Sequence, residues 1–168
     1  MPAFILIVDD EAQLRKLLSR LISLEGFRVT EADTIRLANE QLGRLPFDVV
    51  LCDVKLPDGN GVEFVKEIKN RFPSIEVILL TAFGNIADGV QAMKNGAFDY
   101  VVKGDDNDRI LPLLHQAGLY RIVQHISDHS LPFLMIPYRT IIAFVLPEMS
   151  FALQNFVRFV RSKALERM

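Results

Sequence analysis

A doubly wound α/β fold, five parallel strands with helices on both faces, is what the sequence predicts. Two observations carry the prediction. Short apolar runs alternate with segments of helical periodicity, five of each, between Ala3 and Leu119. The runs are mainly apolar rather than alternating with polar residues, which marks strands covered on both faces and hence a parallel sheet.

Ala3–Val8 is a continuous apolar run of strand length. Leu14, Leu17, Leu18, Leu21 and Ile22 then repeat at helical spacing, with Gly26 as the stop. Phe27–Thr30 is a short β-rich run, and Thr34–Leu42 a helix ending near Gly43. Phe47–Cys52 is an apolar run broken only by Asp48. Gly61–Arg71 is helical, with Val62, Val65, Ile68 and Phe72 on one face and Pro73 beyond it. Val77–Leu80 is the fourth strand, and Ile86–Asn95 a helix closed by Gly96. Phe98–Val102 is the fifth strand. Asp106–Leu119 is the last helix, with Ile110, Leu113, Leu114 and Ala117 inward.

The chain has 168 residues, 50% hydrophobic and 24% charged, which excludes disorder over most of its length. A net charge of -2 argues against a protein that coats nucleic acid. A single cysteine excludes an intramolecular disulfide and a Cys-cluster metal site, and fits a reducing compartment, the cytoplasm. No basic segment precedes the first apolar run, which is too short for a signal peptide or a membrane span. The composition breaks near residue 120. All nine glycines lie at or before Gly118. Residues 1–119 hold 18 acidic and 13 basic residues, a net -5; residues 120–168 hold 3 and 6, a net +3. The expected organisation is a domain over 1–120 and an apolar, basic, helical tail over 121–168.

Polar residues gather where the strands end. Asp9, Asp10 and Glu11 follow the first strand, Asp53 the third, Thr81 the fourth and Lys103 the fifth. In an open α/β sheet the carboxyl ends of the strands are the expected ligand site. Three carboxylates at one edge repel one another unless a cation sits between them. Oxygen ligands of this kind suit Mg²⁺, which keeps several waters and shares itself with phosphate. With a lysine and a hydroxyl facing the same spot, the set describes phosphoryl transfer to an aspartate nucleophile.

These residues stand in strings that resemble the receiver domain of bacterial two-component response regulators. The strings are Ile7-Val8-Asp9-Asp10-Glu11, then Asp53 to Gly61 (Asp-Val-Lys-Leu-Pro-Asp-Gly-Asn-Gly), then Leu80-Thr81-Ala82, then Gly96 to Lys103. The segments Leu80–Asn85 and Gly96–Tyr100 look closest to receivers of the sigma-54-dependent activators. The resemblance covers residues 3–119 and implies a flavodoxin-like sheet of order 2-1-3-4-5. It implies that Asp53 accepts a phosphoryl group from a sensor histidine kinase or phosphotransfer protein. Asp9, Asp10, Asp53 and the backbone carbonyl of Lys55 would hold Mg²⁺. Thr81 would hydrogen-bond the phosphoryl group, Lys103 would pair with it, and Tyr100 would change rotamer with Thr81. Output would pass by protein contact, including a homodimer through helix four, strand five and helix five or through the tail. The chain would be a phosphoacceptor rather than an enzyme, with only slow self-dephosphorylation: Lys55 and Phe83, flanking the water path in this family, are poor water activators.

One position departs from the family. Gly104 stands where proline usually follows the lysine, so the loop is freer and the placement of Lys103 less constrained. Two other readings stay open. A receiver-fold binding module that no longer takes phosphate fits the same fold. An aspartate-nucleophile phosphatase wants a second Asp two residues after the nucleophile, where this chain has Lys55. Taken singly, Asp9 to Glu11 could be helix-capping acids, Cys52 is a buried small residue, and His115, His125 and His129 suggest no metal site. In the tail, prolines at 132 and 137 leave only Tyr138–Leu146 uninterrupted, too short to span a membrane. Met149, Leu153, Phe156, Val157 and Val160 form an apolar stripe on a basic helix, for which packing or pairing is expected rather than membrane contact. The tail offers neither a phosphate-binding Gly-rich loop nor a helix-turn-helix, so no direct nucleic-acid binding is expected. A truncated or frame-disrupted linker to an ATPase domain is one reading of it.

Overall fold

The computed structural model describes residues 3–82, 84–104 and 107–129. The expected tail features from residue 130 onward lie outside them, as does Phe83. Residues 1–125 form one compact unit. The strands are β1 (Phe4–Val8), β2 (Arg28–Ala32), β3 (Val49–Asp53), β4 (Glu76–Thr81) and β5 (Asp99–Val102). The helices are α1 (Ala12–Leu24), α2 (Ile35–Leu42), α3 (Gly61–Arg71), α4 (Ile86–Lys94) and α5 (Ile110–His129). The five strands form one parallel sheet in the order β2-β1-β3-β4-β5. This is the expected topology. Lys55–Leu56 pairs antiparallel with Gly59–Asn60, making a small hairpin between β3 and α3.

The apolar runs make sense side chain by side chain. Successive residues of a strand point to opposite faces. Phe4, Leu6 and Val8 of β1 enter one core with Ala38 and Leu42 of α2, Val62, Val65 and Ile68 of α3, and Ala92 of α4. Ile5 and Ile7 enter the other, with Leu18 and Ile22 of α1 and Ile110, Leu113, Leu114 and Ala117 of α5. Both sets are almost fully buried, so no position in the run tolerates a polar residue.

Helix starts follow side-chain caps. Thr34, Asn60 and Asn85 accept the backbone N–H of Leu37, Val62 and Ala87 at the starts of α2, α3 and α4. Two details differ from the sequence expectation. In α1 only Leu18 and Ile22 of the leucine repeat are buried, while Leu17, Leu21 and Leu24 face outward. And α5 runs well past Leu119, because Gly118 stays helical and no proline intervenes before residue 132. Among the described residues no helix is long and apolar enough to cross a membrane.

Candidate functional site

The strands end on the site. Asp53 is the last residue of β3 and Thr81 the last of β4, both buried. Asp9 lies one residue past β1, yet its N–H donates to the Ala32 carbonyl at 3.1 Å, so the ladder carries it inward; it is completely buried. Its carboxylate Oδ1 accepts the Glu11 N–H at 2.9 Å. Glu11 precedes α1 without making any side-chain cap, so these acids do more than start a helix. Asp10 is exposed at the rim. Carboxylate oxygens of Asp9, Asp10 and Asp53 all lie within 4.8 Å of one another.

Lys103 reaches this cluster despite Gly104. Its ammonium lies 2.7 Å from Asp53 Oδ2 and 2.8 Å from Asp9 Oδ2. Its own N–H donates to the Thr81 carbonyl at 2.7 Å, which continues the pairing of β5 with β4 and brings both residues to the same edge. Gly104 has φ +95°, a conformation that the ring of proline forbids. The left-handed turn at Gly104 follows a lysine whose backbone is already held to the end of β4. Burial works to lower the Lys103 pKa, but the hydrogen bonds to Asp53 and Asp9 outweigh it and raise the pKa. The ammonium is therefore charged at neutral pH.

The charges do not balance. Lys103 pairs with Asp9 and Asp53, and Asp10 adds a third carboxylate, so these four side chains carry an excess of two negative charges if all are ionised. The donors are all oxygens, and one is at the rim where water can complete a coordination shell. That set fits a hard divalent cation.

Backbone contacts aim the acceptor. A Cβ on Gly61 would sit 2.2 Å from the Asp53 carbonyl oxygen, so only glycine lets α3 start this close to the end of β3. The Gly61 N–H donates to the Val54 carbonyl at 2.8 Å, and the Val54 N–H to the Leu80 carbonyl at 2.9 Å. The Lys55 N–H lies 3.4 Å from Asp53 Oδ1, and the Lys55 side chain is exposed. Tyr100 lies half-buried on β5, its ring against the backbone of Gly89 in α4. Its hydroxyl is buried with no hydrogen-bond partner among the described residues. Such an orphan costs about 1–3 kcal/mol, so the inward ring position is not strongly held.

The remaining sequence candidates fall where they were read. Cys52 is buried, and burial pushes its thiol far above the usual range, which makes it no nucleophile. His115 sits at the surface, 4.0 Å from Glu25 and stacked near Phe27. The side chains of His125 and His129 lie outside the described residues.

Sequence reasoning missed Arg15, Glu31 and Asp58. Arg15 donates to the Asp9 carbonyl at 2.5 Å and pairs with Glu31 at 3.2 Å, so it pins the acid loop to β2. The Asp58 carboxylate accepts the N–H groups of Ile35 and Arg36 at the start of α2, each at 2.9 Å. Burial opposes, but these backbone bonds dominate and lower its pKa. Arg15 reads in sequence as one more polar residue of an amphipathic helix. Asp58 reads as a turn residue, and nothing local signals a partner more than 20 residues away.

Known proteins resemble this arrangement. A sequence profile for the response regulator receiver domain matches residues 5–115. Response regulator protein PilR of Pseudomonas aeruginosa is 39% identical over 112 residues, 67% of this chain and 25% of that protein. Transcriptional regulatory protein ZraR of Escherichia coli O157:H7 is 37% identical over 128 residues, 76% of this chain and 28% of that protein. The chain thus spans about a quarter of the curated relatives it matches. Among solved structures, the beryllofluoride-activated NtrC4 receiver domain dimer superimposes with a TM-score of 0.67 at 34% identity, covering 70% of this chain and 98% of that one.

Proposed function

The chain belongs to the response-regulator receiver family of two-component signalling, and we propose that Asp53 is its phosphoacceptor, charged by a sensor histidine kinase or phosphotransfer protein. The observation that carries the reading is the geometry at Asp53. One carboxylate oxygen is held by Lys103, and Asp9 and Asp10 stand close enough to share a cation with it. Mg²⁺ is the ion that suits this all-oxygen set, and it would neutralise charge developing on the transferring phosphoryl group. Asp9, Asp10, Asp53 and the Lys55 carbonyl would hold it. Thr81 would bond a phosphoryl oxygen and Lys103 would pair with another.

Signalling then needs two packings of nearly equal energy. The orphaned Tyr100 hydroxyl supplies one source of near-balance. A phosphoryl group that draws Thr81 toward it would open the space into which the ring can turn. The output surface is α4, β5 and α5. Ile86, Val90 and Met93 stand exposed along α4 at helical spacing, an apolar ridge suited to a second copy of this chain. The NtrC4 receiver is described as a dimer in its activated form, which supports this choice. The chain acts as a phosphoacceptor rather than an enzyme on other substrates, and works in the cytoplasm, where such kinases present their phosphohistidine.

The test is intact-mass measurement after incubation with Mg²⁺ and a small acyl phosphate. One hydroxylamine-labile phosphoryl group, absent from Asp53→Asn, is expected. An unmodified wild-type protein would instead support the binding-module alternative.

A further inference from the structure

We propose that Asp58 is a positioning residue for the cation site, latching the hairpin that carries Lys55 onto the amino terminus of α2. This rests on the phosphoacceptor reading above. The hairpin has two roots and a tip. Its roots are fixed by the backbone bonds from Val54 to Leu80 and from Gly61 to Val54. Its arms pair Lys55 with Asn60 and Leu56 with Gly59, and Pro57-Asp58 forms the tip. Backbone pairing of two residues per arm is too little to hold such a hairpin by itself.

The latch supplies what the ladder lacks. Both oxygens of Asp58 are used, one on the Ile35 N–H and one on the Arg36 N–H. These are two of the donors that a helix start leaves without intrahelical partners, and the positive end of the helix favours the negative charge. Thr34 takes the next donor, Leu37, so α2 is capped twice, from its own chain segment and from the hairpin. Gly59 packs close to α2, where a Cβ would lie 2.7 Å from Ile35 Cδ1 and the end of that side chain would have to shift. The anchor itself is firm, because Gln41 of α2 donates to the Glu31 carbonyl of β2 at 3.0 Å. The Asn60 cap fixes α3 at the other root, where its carboxamide oxygen accepts the Val62 N–H at 2.7 Å.

The consequence separates stability from ion binding. Asp58 is exposed, so water can replace its oxygens on α2 at little cost to folding. Water cannot replace the tether on the hairpin. With the tip free, the Lys55 carbonyl no longer waits at the cation, and binding must order the loop first.

The test is calorimetric titration of Mg²⁺ into the full chain, with Asp58→Ala, Asp58→Asn and Thr34→Ala beside the wild type. Asp58→Ala is expected to raise the Mg²⁺ dissociation constant about tenfold, the lower end for partners of metal ligands because the latch faces solvent. Asp58→Asn keeps one acceptor oxygen and should fall between it and the wild type. Thr34→Ala removes the cap of the same helix without touching the hairpin and should bind Mg²⁺ as the wild type does. Acyl-phosphate labelling of Asp58→Ala should recover at saturating Mg²⁺. Equal affinity in wild type and Asp58→Ala, or equal weakening by Thr34→Ala, overturns the latch. A wild type that binds no Mg²⁺ overturns the reading of the site and the latch with it.

Discussion

At the amino end of the sheet, buried Glu76 of β4 meets Lys69 of α3 at 2.8 Å, one carboxylate to one ammonium. At the carboxyl end, Asp9 and Asp53 share the ammonium of Lys103, and the exposed Asp10 adds a third carboxylate within 4.8 Å of theirs. Both ends bury acid, but only the amino end balances it. An unpaired buried charge costs several kcal/mol, so a fold with nothing else at stake matches each acid with a base. The unmatched end is the one that can take a cation and use it. Charge imbalance, rather than acidity, is what distinguishes the site from the structural pair.

The largest effect expected from breaking this contrast is at the acceptor. Asp53→Asn keeps the side-chain shape, loses the nucleophilic oxygen and should take no phosphoryl group in the mass assay. It should unfold no more easily than the wild type without Mg²⁺, since one negative charge of the excess is gone. Full labelling of this variant would mean the acceptor lies elsewhere.

Next comes Asp10→Ala. Asp10 is exposed, so its loss should barely change stability. Mg²⁺ affinity should drop by at least about tenfold, and phosphorylation with it, because a direct ligand is removed. An unchanged titration curve contradicts its role as a ligand.

The sharpest comparison pairs Lys103→Met with Lys69→Met. Each strands a buried carboxylate and should cost about 3–5 kcal/mol in urea unfolding without Mg²⁺. Measured against wild type at the same Mg²⁺, the deficit should shrink in Lys103→Met and stay unchanged in Lys69→Met, whose intact cation site Mg²⁺ stabilises as it does the wild type's. Equal responses to Mg²⁺ would erase the distinction between the two ends.

A smaller effect follows from the raised pKa of Lys103. A lysine held charged by its partners contributes stability that is complete below the pKa of a free lysine, about 10.4. That contribution is lost as pH rises through the higher folded-state pKa. Unfolding series run upward from about pH 9 should show a component in the wild type that Lys103→Met lacks.

Much of this was legible in the sequence, for physical reasons. The central strands β1, β3 and β4 are buried on both faces, so their residues are mostly apolar and easy to find. Asp9, Asp53, Thr81 and Lys103 were legible because strand ends and polar residues coincide, and a parallel sheet brings all such ends to one edge. What was hidden depends on orientation and distance. Leu17 and Leu18 are the same residue type, and only packing decides that the second is inward. Gly104 announced freedom after Lys103, but the backbone bond from Lys103 to Thr81 holds the lysine at the sheet edge, where its ammonium reaches both aspartates. Asp58 finds α2 only through the tertiary approach of two loops.

The central claim, that an unbalanced carboxylate cluster makes the carboxyl end a cation site, is tested most directly by Mg²⁺ titration of thermal unfolding in the wild type, Asp10→Ala and Lys69→Met. The account predicts saturable stabilisation of the wild type, an equal shift in Lys69→Met, and a curve displaced to higher Mg²⁺ in Asp10→Ala. A wild-type unfolding temperature that does not move with Mg²⁺, or that moves identically in Asp10→Ala, contradicts it.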